Sequence, residues 1–325
     1  MNRSRKGFSR LLRAAFAVAA ALGLLASART PVLATEGGTS HYIQGSYGDF
    51  LMGFIPAEGF YVRNDFIYLA QSMSQTFHGG RIYSKVNAYT SIDLLKLSYV
   101  AEVPAMGGYL GLAAGVPIIV NTNVGGSLNI QDQRNRRQYS KTGDGDRGGL
   151  SDVFLAPLAA WNFGECHLVV MPTVFFPTGY YDKKVLTNLG MNYYTFDANM
   201  AFTWLNAKGY EFSFNAGYMI NSRNTATRYT SGNQFHLDWT AAYHYDQRLA
   251  FGLVGYVVAQ TTPDSGPGAS LGAFYSSSAG LGPILSYTAS IGGKDVSFIA
   301  KWLCDVGAEN RMTGNAVYAS VAAKF

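Results

Sequence analysis

The chain has 325 residues, 48% of them hydrophobic and 14% aromatic, but only 14% charged, with a mean hydropathy of +0.03. That charge content lies well below the soluble average of about 25%, and the hydropathy is too low for a bundle of membrane helices. Cys166 and Cys304 are the only cysteines, which excludes a disulfide framework or a zinc site.

The first element is "RSRKGFSRLLR" followed by the apolar run "AAFAVAAALGLLASA" at 14–28. Fifteen residues are few for a membrane span, which needs about 20. A basic head, a short apolar middle and A-x-A-like sites ending at Ala28 and Ala34 predict an export signal over 1–34 that is cleaved. Those 34 residues hold six basic and no acidic side chains, so removal leaves 19 basic against 20 acidic residues. The whole-chain charge of +5 therefore belongs to the leader, and a nucleic-acid partner loses the basic face it would need. Residues 35–58 are Gly- and aromatic-rich with no amphipathic period, which leaves two readings: a plug inside a barrel or a loosely ordered periplasmic segment.

From residue 59 onward, alternation dominates. "YEFSFNAGYMI" (210–220) sets Tyr210, Phe212, Phe214 and Tyr218 against Glu211, Ser213 and Asn215. "QFHLDWTAAYHY" (234–245) sets Phe235, Leu237, Trp239 and Tyr243 against His236, Asp238, Thr240 and His244. "YTFDANMAFTW" (194–204) opposes Phe196, Met200 and Phe202 to Asp197 and Asn199, and "DVSFIAKWLCD" (295–305) opposes Phe298 and Trp302 to Lys301 and Asp305. In these four segments every charge lies on the polar parity. A Lys or Arg facing lipid at midplane costs about 2–4 kcal/mol, so the greasy parity suits lipid and the sparsely charged polar parity suits a wet lumen.

Strands are expected near 59–72, 85–100, 108–120, 150–161, 166–177, 193–205, 208–221, 234–246, 248–260, 279–289, 294–307 and 314–325. "SIDLLKLSYV" (91–100) is ambiguous. Tight connections at 162–165, 206–208, 245–248 and 290–294 alternate with long ones at 121–149, 178–192, 222–233 and 261–278. Short turns at one end and long loops at the other are the pattern of outer-membrane barrels. The predicted fold class is therefore all-β: a transmembrane antiparallel up-and-down β-barrel of about twelve strands over 59–325. Its last segment, "NAVYASVAAKF", puts Val317, Ala319, Val321 and Phe325 on one parity. It reads as the strand that closes the cylinder, because no backbone edge can face hydrocarbon.

Candidate functional residues follow from parity. The polar lumen set is Asp197, Asn199, Glu211, His236, Asp238, Thr240, His244, Lys301 and Asp305. Phe175, Tyr193 and Tyr256 are inward aromatics that would make an apolar track or simply fill space. His236 and His244 stand about 27 Å apart along an extended strand at about 3.4 Å per residue, too far to share a metal; no metal site is predicted. Arg134, Arg136, Arg137 and Lys141, placed in the longest loop, form a basic cluster suited to lipopolysaccharide phosphates or to ordinary solvation. "GASLG" (268–272) matches a nucleophile elbow, but no His follows Ser270, so catalysis is not expected.

The stretches "EGGTSHYIQGSYGDF" (36–50), "GFYVRNDFIYL" (59–69), "DSGPGASLGAF" (264–274), "GLGPILSYT" (280–288) and "VGAENRMTGNAVY" (306–318) resemble the MetA-pathway of phenol degradation (SphA-like) family of outer-membrane barrels. "IPAEG" (55–59) departs from the family's proline-richer run. The resemblance implies a link to aromatic catabolism and a distant relation to fatty-acid and toluene uptake channels, which carry an N-terminal hatch. It brings no binding residues with it. The combined expectation is a channel in the bacterial outer membrane for diffusion of small hydrophobic compounds, aromatic or phenolic, with no cofactor. Its partners would be membrane lipid and lipopolysaccharide, the solute, and the outer-membrane assembly machinery acting on the C-terminal strand. The competing expectation is a structural or surface-interaction barrel with a blocked lumen; an outer-membrane hydrolase ranks behind both.

Overall fold

The computed structural model describes residues 39–77, 82–132, 137–185, 187–269 and 274–325. Leader residues 1–34, and with them both cleavage sites, lie outside the described residues. The described chain forms β1 (Gly59–Phe77), β2 (Ile82–Val103), β3 (Gly108–Asp132), β4 (Arg137–Leu150), β5 (Phe154–Phe163), β6 (Cys166–Val170), β7 (Thr173–Phe175), β8 (Thr195–Leu205), β9 (Tyr210–Asn221), β10 (Gln234–His244), β11 (Leu249–Gln260), β12 (Ser277–Ile291), β13 (Lys294–Glu309) and β14 (Thr313–Lys324).

Successive strands pair antiparallel except β4 with β5 and β6 with β7, and β1 pairs with β14 from Tyr61↔Lys324 to Ser72↔Thr313, which closes the sheet. The wall has twelve staves rather than fourteen. Strands β4 and β5 both pair with β3 and form one stave interrupted at 151–153. Strands β6 and β7 both pair with β5 and β8 and form another, interrupted at Met171 and Pro172. Proline has no amide proton to give the ladder, which explains the second break. At the first, Asp152 turns inward and accepts the amides of Gly179 (2.8 Å) and Met191 (2.6 Å).

Solvent preference is inverted relative to a soluble protein. Phe66, Phe251, Leu253 and Trp302 are 40–50% exposed, whereas Asp197, Thr203, Ser213 and Asp238 are fully buried. An outer face of large apolar groups around a polar interior fits hydrocarbon as the outer solvent. The expected parity holds in the last strand, where Val317, Val321 and Phe325 face out while Ala316, Tyr318 and Ser320 are buried.

Both termini of the wall lie at the short-turn end. There Ile291 and Lys294 pair across Gly292-Gly293, both with positive φ, as a two-residue hairpin turn requires. In the β10–β11 turn Asp246 accepts the amides of Arg248 and Leu249, each at 2.7 Å, and these hold its carboxyl below the ordinary carboxylate range. The opposite end differs from expectation. Residues 121–149 are not a long loop: β3 runs on to Asp132 and β4 returns from Arg137, paired from Asp132↔Arg137 to Ile118↔Leu150. Gly125, Gly143 and Gly145 obscured the strand pattern in a stretch that has no core to bury.

Candidate functional site

Residues 39–57 lie against the inward faces of the wall, and two unlike halves of that wall receive them. On β8, β9 and β10 the inward parity is a ladder of acceptors. Asp238 accepts from the Tyr42 hydroxyl (2.8 Å) and the Gly48 amide (3.1 Å). Asp197 accepts from the Tyr47 hydroxyl (2.9 Å), Glu211 from the Leu51 amide (2.6 Å), and Thr203 Oγ1 from the Gly53 amide (2.8 Å). On β13 and β14 the polarity reverses. Lys301 Nζ donates to the carbonyls of Gly45 (2.7 Å) and Gly48, and the Tyr318 hydroxyl donates to that of Gln44 (2.6 Å). Arg63 on β1 reaches both Asp49 and Asp65.

These bonds give irregular backbone the partners it would otherwise lack in a lumen. Gly53 packs so close that a Cβ there would lie 2.6–2.7 Å from backbone atoms of His167, Phe202 and Thr203. His236 sits at the centre, its Nε2 3.1 Å from both Asp197 oxygens, with the Tyr42 and Tyr47 rings each packed 4.9 Å from the imidazole. Gly217, between β8 and β10, leaves the room that this His–Asp pair fills.

The other half, β1 to β3 with β5, is greasy on its inner face. Leu69, Ile92, Leu94, Ile119 and Phe154 face residues 39–57 across a cavity of about 1330 Å³. Its lining reaches from Tyr229, Ala269 and Phe274 at the loop end to Ser98, Asp295 and Lys324 at the short-turn end. At the middle of the loop-side lining, His41 bonds Asp152 (2.9 Å) and Thr195 Oγ1 (2.7 Å) and stacks on Phe175, with centroids 4.9 Å apart. Nearer the short-turn end, Lys96 reaches Asp65 at 2.8 Å.

The residues singled out from sequence separate into three groups. Asp197, Glu211, His236, Asp238 and Lys301 contact residues 39–57. His244 pairs with Glu211 (2.6 Å), Asn199 donates to Thr173 Oγ1 (3.2 Å), and Asp305 accepts from the Tyr256 hydroxyl and the Gly314 amide (2.9 Å). Thr240 is fully buried, its hydroxyl without a hydrogen-bond partner among the described residues. Of the aromatics, Phe175 and Tyr193 line the cavity, whereas Tyr256 lies off it, 6.1 Å from the Tyr42 ring. Lys141 is exposed on β4 and Arg137 opens that strand, so neither sits in a long loop. Arg134, Arg136 and Ser270 lie outside the described residues.

Parity reasoning missed the aliphatic wall. Its signal was the ambiguity of "SIDLLKLSYV": Ile92 and Leu94 face in while Leu95 and Leu97 face out, so the strand is apolar on both sides.

Comparison with known proteins extends this picture. An outer membrane channel from Pseudomonas putida F1 has a TM-score of 0.65 at 14% identity, covering 88% of this chain and 100% of that one, and shares the fold. The CymD monoaromatic hydrocarbon channel aligns at a TM-score of 0.41 and 10% identity, covering 83% and 89%. A Pseudomonas aeruginosa FadL homologue aligns at 0.39 and 10%, covering 91% and 98%. No curated protein sequence matches the chain. The model of the family described as "Putative MetA-pathway of phenol degradation" matches residues 74–321, most of the chain, and the protein belongs to that family.

Proposed function

We propose that this barrel is a bacterial outer-membrane channel through which small hydrophobic compounds, aromatic or phenolic, enter by diffusion. The observation that carries the reading is a cavity whose lining extends from the loop end to the short-turn end between residues 39–57 and the largely aliphatic face of β1–β3. Apolar lining lowers the cost of moving an apolar solute out of lipid or water. Lys96 on this lining is neutralised by its ion pair with Asp65. Residues 39–57 act as a plug that closes the polar half of the lumen to ions and sugars. A concentration gradient drives movement, and no cofactor takes part.

In this reading residues 1–34 are removed on export and the C-terminal strand is handed to the outer-membrane assembly machinery. The basic cluster Arg134, Arg136, Arg137 and Lys141 would serve lipopolysaccharide phosphates in this reading. The test is flux into proteoliposomes of a radiolabelled phenol, a radiolabelled alkylbenzene and a disaccharide, with the intact mature chain and with residues 35–58 deleted. The intact protein is expected to pass both aromatics and exclude the disaccharide, and the deletion to admit all three. Equal permeability of the two proteins removes the plug, and absence of aromatic flux in both removes the channel.

A further inference from the structure

A second site lies on the outside of the wall. On strands β1 and β2 the outward parity runs Phe60, Val62, Asn64, Phe66, Tyr68 and, on the next strand, Tyr89, Ser91, Asp93, Leu95, Leu97, Tyr99. Tyr89 (51% exposed) and Tyr99 (59% exposed) bracket β2 as interfacial tyrosines do. Ten residues at about 3.4 Å each, tilted about 40°, span roughly 26 Å, close to the height of about 25 Å expected for the apolar band of such a barrel. Asp93 lies four residues inside Tyr89, about 10 Å below the interface by the same arithmetic.

Among the described residues, Asp93 is the one charged side chain on the outward face between the interfacial positions. Of the cations on the same two strands, Lys85 lies eight residues from Asp93, about 27 Å along the strand, and Arg63 and Lys96 point to the opposite face, where both bind Asp65. The sheet itself separates those two from Asp93. Within the described chain the hydrogen bond given to Asp93 is that of the Asn64 amide to Oδ1, at 2.7 Å. Its second oxygen, the Asn64 carbonyl and the second Asn64 N–H are left facing the bilayer interior. A carboxyl group in hydrocarbon needs a polar partner at its own depth, and neither water nor a headgroup reaches there.

We infer that the facet around Asn64 and Asp93 is an interface between two copies of this chain within the membrane. A two-fold axis along the membrane normal brings equal depths of the same facet together. The pair is self-complementary under that operation: the free N–H of Asn64 meets Asp93 Oδ2 of the partner subunit, and the reverse contact forms across the axis. Each copy supplies one donor and one acceptor, so both unpaired sets are used. Val62 on β1 and Ala319 and Val321 on the adjoining β14 are short, and Phe66 and Ile118, paired with Asp93 on its two neighbouring strands, project beside it as the apolar contact surface for the partner subunit. The inference needs the barrel to span a membrane but not to transport anything.

The test uses the full mature chain. Native mass spectrometry from a mild detergent is expected to show a dimer. In whole outer membranes, Leu95→Cys in a Cys166→Ser, Cys304→Ser background is expected to cross-link to itself. Adding Asp93→Leu should lower that cross-linking at least tenfold while the heat-modifiable folded species on a gel is retained; Asp93→Asn, which keeps the hydrogen-bonding groups, should retain most of it. If Asp93→Leu does not fold, Asn64→Leu replaces it with the same expected loss. A monomer in both preparations, a cross-link unchanged by these leucines, or a cross-link to a different protein overturns the inference.

Discussion

The two halves of the lumen are made from strands of the same kind and do opposite things. Along β8–β10 the inward positions are mostly Asp, Asn, Thr, Ser, His and Glu, and the carboxylates of Asp197, Glu211 and Asp238 are each met by a donor from residues 39–57. Along β1–β3 the inward positions on the cavity are largely aliphatic, Leu69, Val86, Ile92, Leu94 and Ile119 among them, interrupted by Thr90, Lys96 and Thr122, and the same segment faces them across the cavity. Polar groups draw irregular backbone to the wall because an unpaired buried amide costs about 1–3 kcal/mol. An aliphatic face offers the same backbone nothing, and space remains. The lesson is that the cavity lies where the N-terminal segment has no reason to bind.

The hardest way to break this contrast is to fill the void. Ala88 and Ala113 both line the cavity with room for larger groups. Ala88→Trp with Ala113→Trp is expected to cut aromatic flux at least tenfold, with the folded band on a heat-modifiability gel unchanged. The next largest effect comes from the polar half. Gly53→Val puts a side chain where wall backbone already sits, so the segment must lift away. Single-channel recording should then show ion conductance several-fold above the intact protein, because water enters the polar half. Unchanged conductance would mean that residues 39–57 do not seal it.

How much of this was readable beforehand follows from the same contrast. Strand parity on β8, β9, β10 and β13 was legible because the two faces differ in polarity, so Asp197, Glu211, His236, Asp238 and Lys301 could be chosen one by one. Their pairing was not. That His236 meets Asp197 depends on the register of three strands and on the missing side chain of Gly217, and no local pattern encodes either. The cavity wall was least legible, since an inner face as greasy as the outer one erases the alternation that marks a strand. Residues 121–149 failed for another reason: Gly125, Gly126, Gly143, Gly145, Gly148 and Gly149 interrupt the alternation of this hairpin, and its composition is that of a loop.

A milder perturbation isolates one anchor of the segment. Asp238→Ala strands the Tyr42 hydroxyl and the Gly48 amide together, at about 1–3 kcal/mol for each buried group left unpaired. Limited proteolysis should cleave within residues 39–57 at a clearly faster rate, whereas cleavage in the wall strands stays as it was. Asp238→Asn keeps one acceptor oxygen and should fall between the two. Equal rates for all three proteins would show that Tyr42 and Gly48 are held by their other neighbours.

The smallest effect is also the most direct comparison of the halves, because one substitution is made in each. Val254 is fully buried and packs against Gly48 of the segment, and Val86 is half-buried on the cavity lining. Each Val→Ala change deletes the equivalent of two methylene groups, about 1.5 kcal/mol of transfer free energy when the site is fully packed. Val254→Ala leaves a hole between two packed surfaces and should lose that amount or more in urea unfolding from lipid vesicles. Val86→Ala merely enlarges a space that already exists, so its loss should be smaller by about 1 kcal/mol. Equal losses would mean that the β1–β3 side is packed as tightly as the other, and the void would lose its claim to be the route.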